Sequence, residues 1–109
     1  MDYAKFLGEL MTQVAGEGAS DLHIAAGRHP VLRISGALIP LAKKQILAPA
    51  DTAGLVEVLL GKERFKEFLT TKERDFSYSF EEKARFRVNT YFQKGFIGAS
   101  LRVVPTKIK

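Results

Sequence analysis

Three arginines in the last quarter of the chain combine a chemically capable side chain with an informative spacing. They are Arg85, Arg87 and Arg102. From residue 85 to 93 the sequence alternates. Phe86, Val88, Thr90 and Phe92 share one face, and Arg85, Arg87, Asn89, Tyr91 and Gln93 share the other. After Lys94 and Gly95 the alternation resumes. Ile97, Ala99, Leu101 and Val103 form the apolar face, and Phe96, Gly98, Ser100, Arg102 and Val104 form its opposite. A two-residue loop at Lys94-Gly95 sets Gln93 against Phe96. The same register sets Phe92 against Ile97, Val88 against Leu101 and Phe86 against Val103. A slip of one residue would mismatch both faces. This register also places Arg87 opposite Arg102, Asn89 opposite Ser100 and Tyr91 opposite Gly98.

Like charges directly across a ladder are unfavourable. Two guanidiniums held about 5 Å apart at an effective dielectric of about 20 repel by about 3 kcal/mol. Splaying relieves most of that, as does an acidic partner, for which Glu81, Glu82 and Asp75 are the nearby choices. An anion between the two arginines converts the cost into charge-assisted contacts, and the arginine fork fits phosphate.

The other chemically capable residues form smaller groups. Asp21 and His23 lie two apart on one strand face, the spacing of a general-base pair or of half a metal site. Two ligands are too few to hold a metal, so a hydrogen-bonded structural pair is the expected role, and no metal site is expected. His29, beside Pro30 in a turn, is expected in solvent. Phe86 and Phe92 have the type for stacking on bases, but they share a face with Val88 and Leu101, so the core is their expected place. There is no cysteine, which removes disulfides, thiolate nucleophiles and cysteine-based zinc sites. Gly61-Lys62 is followed by Glu63 and lacks the upstream glycine of a P-loop, so this chain carries no machinery for hydrolysing ATP and no catalytic residue.

The elements that must position these residues follow from periodicity. Residues 2–15 have a helical stripe of Tyr3, Phe6, Leu7, Leu10, Met11 and Val14. Residues 20–25 alternate, with Leu22 and Ile24 against Asp21 and His23. Residues 31–35 form a second strand and residues 38–41 a short third. Pro49 announces a helix with Asp51 as its N-cap, carrying Leu55, Val56, Leu59 and Leu60 inward. Gly61 stops it, and residues 62–70 form another helix with Phe65, Phe68 and Leu69 turned inward. Residues 75–80 alternate Phe76, Tyr78 and Phe80 against Asp75, Ser77 and Ser79. A polar loop at residues 81–83 then leads into the hairpin. The order α-β-β-β-α-α-β-β-β describes an α+β domain, an antiparallel sheet of about six strands with helices covering one face.

At 109 residues, 46% hydrophobic and 27% charged, the chain has the composition of one globular domain. It has no apolar run of membrane-spanning length and no basic-then-apolar leader, which together lead us to expect a soluble cytoplasmic domain. The net charge of +5 is unevenly spread. Residues 1–82 hold 10 basic and 12 acidic side chains, whereas residues 83–109 hold seven basic and no acidic ones. Such asymmetry points to a local anionic partner, either nucleotide, nucleic acid or an acidic protein surface.

Two segments resemble a known pattern. Ala19, Ser20, Asp21, Leu22, His23 and Ile24, followed by Gly27, Pro30, Arg33 and Gly36, form the first. Asp75 to Phe80, then Ala84, Arg85, Phe86, Arg87, Val88 and Asn89, with Tyr91, Gln93, Gly95, Leu101, Arg102 and Pro105, form the second. Together, in this order, they resemble the N-terminal domain of the twitching-motility (pilus-retraction) ATPases of the type II/type IV secretion ATPase superfamily.

The resemblance implies a PAS-like α+β domain over residues 1–104, with residues 105–109 beginning a linker to a RecA-like domain. That second domain, absent from this sequence, would carry the P-loop and would hold ATP with Mg. The resemblance further implies a homohexamer, cytoplasmic and peripheral to the inner membrane, with a pilus inner-membrane platform protein as partner and no nucleic acid. Arg87 and Arg102, with Arg85 third, would reach the nucleotide phosphates, supported by Asn89 and Tyr91. The short loop before Asp51 and the compact hairpin favour the retraction type over the extension type. Two rival readings stand beside it: a small nucleic-acid module built on the basic hairpin, and a PAS-like ligand sensor, which requires a pocket inside the sheet–helix core.

Overall fold

A switch in hydrophobic period, from 3.6 to 2, divides each half of the chain into a helical part and a strand part. The fold is described by a computed structural model over residues 1–82 and 84–105. Lys83 and residues 106–109, and with them most of the expected linker, lie outside the described residues. The element order is α1 (Tyr3–Glu17), β1 (Asp21–Ile24), β2 (Val31–Ile34), β3 (Ala37–Pro40), α2 (Pro49–Leu60), α3 (Lys62–Thr71), β4 (Glu73–Phe80), β5 (Ala84–Gln93) and β6 (Phe96–Val104). This is the order expected from periodicity.

Helix α1 opens where the Asp2 carboxylate accepts the Lys5 N–H at 3.1 Å, and it closes at Gly18 in the left-handed conformation, φ 66°. Its stripe of Leu7, Leu10, Met11 and Val14 is buried. The six strands form one antiparallel sheet in the order β3-β2-β1-β6-β5-β4. The three helices cover one face of it. There Leu22, Ile24 and Leu32 from the first strands and Phe86, Val88, Ala99 and Leu101 from the last hairpin meet the helix stripes in a single core. At β5 and β6 the register is the one the alternation requires, from Gln93 opposite Phe96 to Arg85 opposite Val104. Lys94 and Gly95 carry the two positive φ angles, 54° and 84°, of a tight hairpin turn.

Two expectations about the helices are corrected. Ala48, not Asp51, occupies the N-cap of α2. Pro49 fixes its own φ at a helical value, so the helix begins three residues before the expected cap would close. Asp51 instead lies in the first turn, where its carboxylate accepts the Ala48 N–H at 2.8 Å and the Tyr3 hydroxyl at 2.9 Å. This ties α1 to the start of α2. In α3, Phe68 is fully buried and Phe65 half-buried, but Leu69 is 43% exposed. One residue advances a helix by about 100°, enough to carry Leu69 past the edge of the stripe. The Phe68 ring stacks on Phe92 with centroids 5.2 Å apart, joining α3 to β5.

Candidate functional site

The face of the sheet without helices carries the polar half of each alternation. Register turns it into rows. In one row, Arg33 of β2 is opposite Asp21 of β1, Asp21 is opposite Arg102 of β6, Arg102 is opposite Arg87 of β5, and Arg87 is opposite Ser77 of β4. In the next row, His23 is opposite Ser100, Ser100 opposite Asn89, and Asn89 opposite Asp75. The two rows line one open groove of ≈ 320 Å³, whose walls include Asp21, His23, Arg87, Asn89, Ser100 and Arg102. Among the sequence-predicted site residues, then, five meet in one groove. Arg85 sits a row further along, opposite Ser79 and Val104. Tyr91 sits a row the other way, its ring lying over Gly98, where an added Cβ would approach it to 2.9 Å.

Arg87 faces Arg102 as the alternation requires, but the acid that tempers the pair is neither Glu81, Glu82 nor Asp75. It is Asp21. Its carboxylate accepts Arg102 Nε–H at 3.2 Å and the Ser20 hydroxyl at 2.7 Å, and Arg33 Nε lies 3.7 Å away. Asp75 instead accepts Asn89 Nδ2–H at 2.6 Å. Because Asp21 holds Arg102 through Nε, the terminal nitrogens of that guanidinium remain outward on a side chain that is 75% exposed. Among the described residues Arg87 makes no ion pair. The row therefore presents one anchored arginine beside one uncompensated arginine, which is an arrangement able to receive an anion. Arg33, which the sequence offers only as part of the first resemblance segment, joins the row from β2, opposite Asp21.

Asp21 and His23 do not bond each other: Asp21 holds Arg102 and Ser20, and His23 turns to the next strand. His23 Nδ1 lies 3.3 Å from the Ser100 hydroxyl, and no group of three or more metal-ligating side chains exists among the described residues. His29 is corrected as well. It is half-buried, and its Nδ1 donates to the Lys44 carbonyl at 2.7 Å, fastening the segment before α2. Phe86 is fully buried and Phe92 packs on Phe68, so neither is available for stacking on a base. Among the described residues no helix is long and apolar enough to cross a membrane.

Burial alone would raise the Asp21 carboxyl. The Ser20 and Arg102 hydrogen bonds, with the positive charge of Arg102, outweigh it and hold the group below the ordinary carboxylate range. A depressed folded pKa means stability that is present above the unfolded value of about 3.9 and lost as pH falls through the folded value. Asp21→Asn should therefore cost about 1–2 kcal/mol at pH 7, a figure reduced by the exposure of Arg102. In urea denaturation the gap between wild type and variant should close as pH falls below about 4. A gap that stays constant with pH would show that the charge of Asp21 contributes nothing.

No protein-family profile matches the chain. Two curated relatives do. One is the type IV pilus retraction ATPase PilT of Pseudomonas aeruginosa, 39% identical over an aligned length of 107, covering 92% of this chain and 29% of that protein. The other is the type IV pilus ATPase PilU of the same organism, 32% identical over 99% of this chain and 27% of that protein. The chain thus spans less than a third of the length of the curated relatives it matches. Among solved structures, the pilus retraction motor PilT with bound ADP superposes with a TM-score of 0.84 at 27% identity, over 94% of this chain and 30% of that one. The Legionella pneumophila ATPase DotB shares the fold, with a TM-score of 0.78 at 24% identity over 94% of this chain and 29% of that one. Along nearly its whole length, in sequence and in fold, the chain is similar to a part of these pilus and secretion ATPases, matching an N-terminal domain of that superfamily.

Proposed function

We propose that this chain is the N-terminal nucleotide-sensing and oligomerisation domain of a hexameric pilus-retraction ATPase. Arg87 and Arg102, with Arg85 as a third, contact the phosphates of ATP that a RecA-like domain holds together with Mg. Asn89 and Tyr91 support them from the neighbouring rows. The observation that carries this reading is the cross-strand pair itself: Arg87 directly opposite Arg102, with only Arg102 held by an acid. A sheet gains nothing from two facing arginines unless something anionic comes between them. That one structural relative was solved with bound ADP supports a nucleotide as the anion.

In this reading the open face closes over nucleotide as a rigid body, and the anchored arginine needs no reorganisation when it meets the phosphates. The partners are the protein's own RecA-like domain, neighbouring subunits of a homohexamer, and an inner-membrane platform protein on the cytoplasmic side. The motor works in retraction rather than extension. By itself the chain, lacking a P-loop, is expected to bind little or no ATP and to hydrolyse none. The test uses the full-length parent protein. Replacing Arg87 and Arg102 together by Ala should lower ATP turnover by about 10²-fold or more and weaken nucleotide binding. Unchanged turnover together with unchanged affinity would remove the proposed role.

A further inference from the structure

A second basic hollow opens at the end of the sheet, away from the Arg87–Arg102 row. The β5–β6 turn and the loop after β1 enclose ≈ 380 Å³, at the small end of the range of about 300–1,000 Å³ typical of ligand pockets. Arg28 and Lys94 stand on its rim, and Ala25, Phe96, Ile97 and Gly98 line it. The lining contains no acid. Among the described residues neither Arg28 nor Lys94 makes an ion pair. Phe96 is 50% exposed, although a ring of that size on a strand usually finds cover.

The backbone holds these groups in place. Gly27 N–H donates to the Leu47 carbonyl at 2.7 Å, and Leu47 N–H to the Arg28 carbonyl at 3.0 Å, so the Arg28 loop is pinned. Lys94 takes φ 54° at the first position of the turn. Asn, Asp or Gly adopts that conformation readily, whereas a lysine there costs about 1 kcal/mol. Backbone strain of this kind clusters where a side chain is used. Gly98 is closely covered by the Tyr91 ring and the Ile24 carbonyl oxygen, which an added Cβ would meet at 2.9 and 3.0 Å, so this part of the lining is fixed.

We propose that this hollow is a docking site for an acidic peptide segment of a partner protein, with an apolar side chain on Phe96 and flanking carboxylates on Arg28 and Lys94. Charge complementarity selects the acid, and the exposed ring selects the apolar neighbour. A nucleic-acid strand is the less suitable occupant, because it calls for a succession of stacking rings along a continuous basic track. The hollow offers a single exposed ring and two cations.

The test is an NMR titration of the isotopically labelled chain with three probes: acetyl-Glu-Leu-Glu-amide, its Gln-Leu-Gln counterpart, and tripolyphosphate. The Glu peptide should give saturable shifts at Arg28 and residues 94–98, and the Gln peptide should give none. Arg28→Gln and Phe96→Ser should each weaken the Glu peptide about fivefold or more, while Arg87→Ala leaves it unchanged. The proposal is overturned by an absence of saturable shifts up to about 10 mM, a concentration that detects even millimolar affinity. It is equally overturned by Glu-peptide shifts centred on Arg85, Arg87 and Arg102, or by tripolyphosphate filling the hollow as well as the peptide does. Because the nucleotide reading rests on Arg87 and Arg102, neither result depends on the other.

Discussion

Arg87→Ala and Arg102→Ala should change the stability of this chain in opposite directions while both lower ATP turnover of the full-length parent. Arg87 faces another arginine and makes no ion pair among the described residues, so its removal relieves repulsion. The gain is a few tenths of a kcal/mol, roughly 0.3–0.8, because both side chains reach solvent and splay. Arg102 is different. Its Nε–H is the hydrogen bond that, with Ser20, offsets the burial of Asp21. Its removal leaves a carboxylate only 6% exposed with one strong donor fewer, a loss of about 1–2 kcal/mol after allowance for the exposure of the arginine. Under the proposed function, turnover responds to a different quantity, the field at the phosphates. Removing either positively charged donor from a preorganised site costs about 10²-fold. Urea midpoints of the two variants, measured beside wild type, read the first effect, and steady-state ATPase rates of the full-length variants read the second. Stability changes of the same sign would contradict the roles assigned to Asp21 and Arg87.

The largest loss of stability is expected at Phe68. Its side chain is fully buried, stacks on Phe92 at 5.2 Å and meets Phe65 at 6.2 Å in a tilted arrangement. Lys72 closes the outer side of the same cluster, its Nζ 4.4 Å from the centre of the Phe92 ring. Phe68→Ala removes the ring and leaves a cavity between α3 and β5, which costs about 3–5 kcal/mol. Set against a total stability of about 5–15 kcal/mol, that takes much of the fold's margin. Phe68→Leu, which keeps most of the volume, should cost clearly less. The effect reaches the candidate site because Phe92 belongs to β5, the strand that carries Arg85, Arg87 and Asn89 on its other face. Equilibrium denaturation checks the magnitude. An Ala variant within about 1 kcal/mol of wild type would mean that the α3–β5 contact is not part of the cooperative core.

The hairpin was legible because both of its strands alternate strictly and the loop between them is two residues long. These features leave one register, and the structure has that register from Gln93 opposite Phe96 back to Arg87 opposite Arg102. The partner of Arg102 was not legible. Asp21 lies 81 residues away, and nothing in the alternation of β1 says which strand it will lie beside. The acids nearer in sequence are not the ones the fold supplies to the pair, and Asp75 is taken by Asn89. Arg33, although part of the first resemblance segment, could not be assigned to the site for the same reason, since it joins it only through the β2–β1–β6 order. At the helices the pattern located the elements but not their ends. Pro49 moved the start of α2 so that Asp51 became a link to Tyr3, and Leu69 fell just outside a stripe that two phenylalanines already fill. His29 looked like a turn residue in solvent, and only the return of the chain at Lys44 gives its ring a carbonyl to hold.

The central claim is that the open face of this sheet meets nucleotide through its facing arginines. The most direct measurement is a structure of the full-length parent protein with Mg and a non-hydrolysable ATP analogue. The account predicts a guanidinium nitrogen of Arg87 or Arg102 about 2.7–3.0 Å from a phosphate oxygen in at least one subunit, the distance of a charge-assisted hydrogen bond. Arginines that remain more than about 10 Å from the phosphates in every subunit, beyond the reach of screened charge, would contradict it.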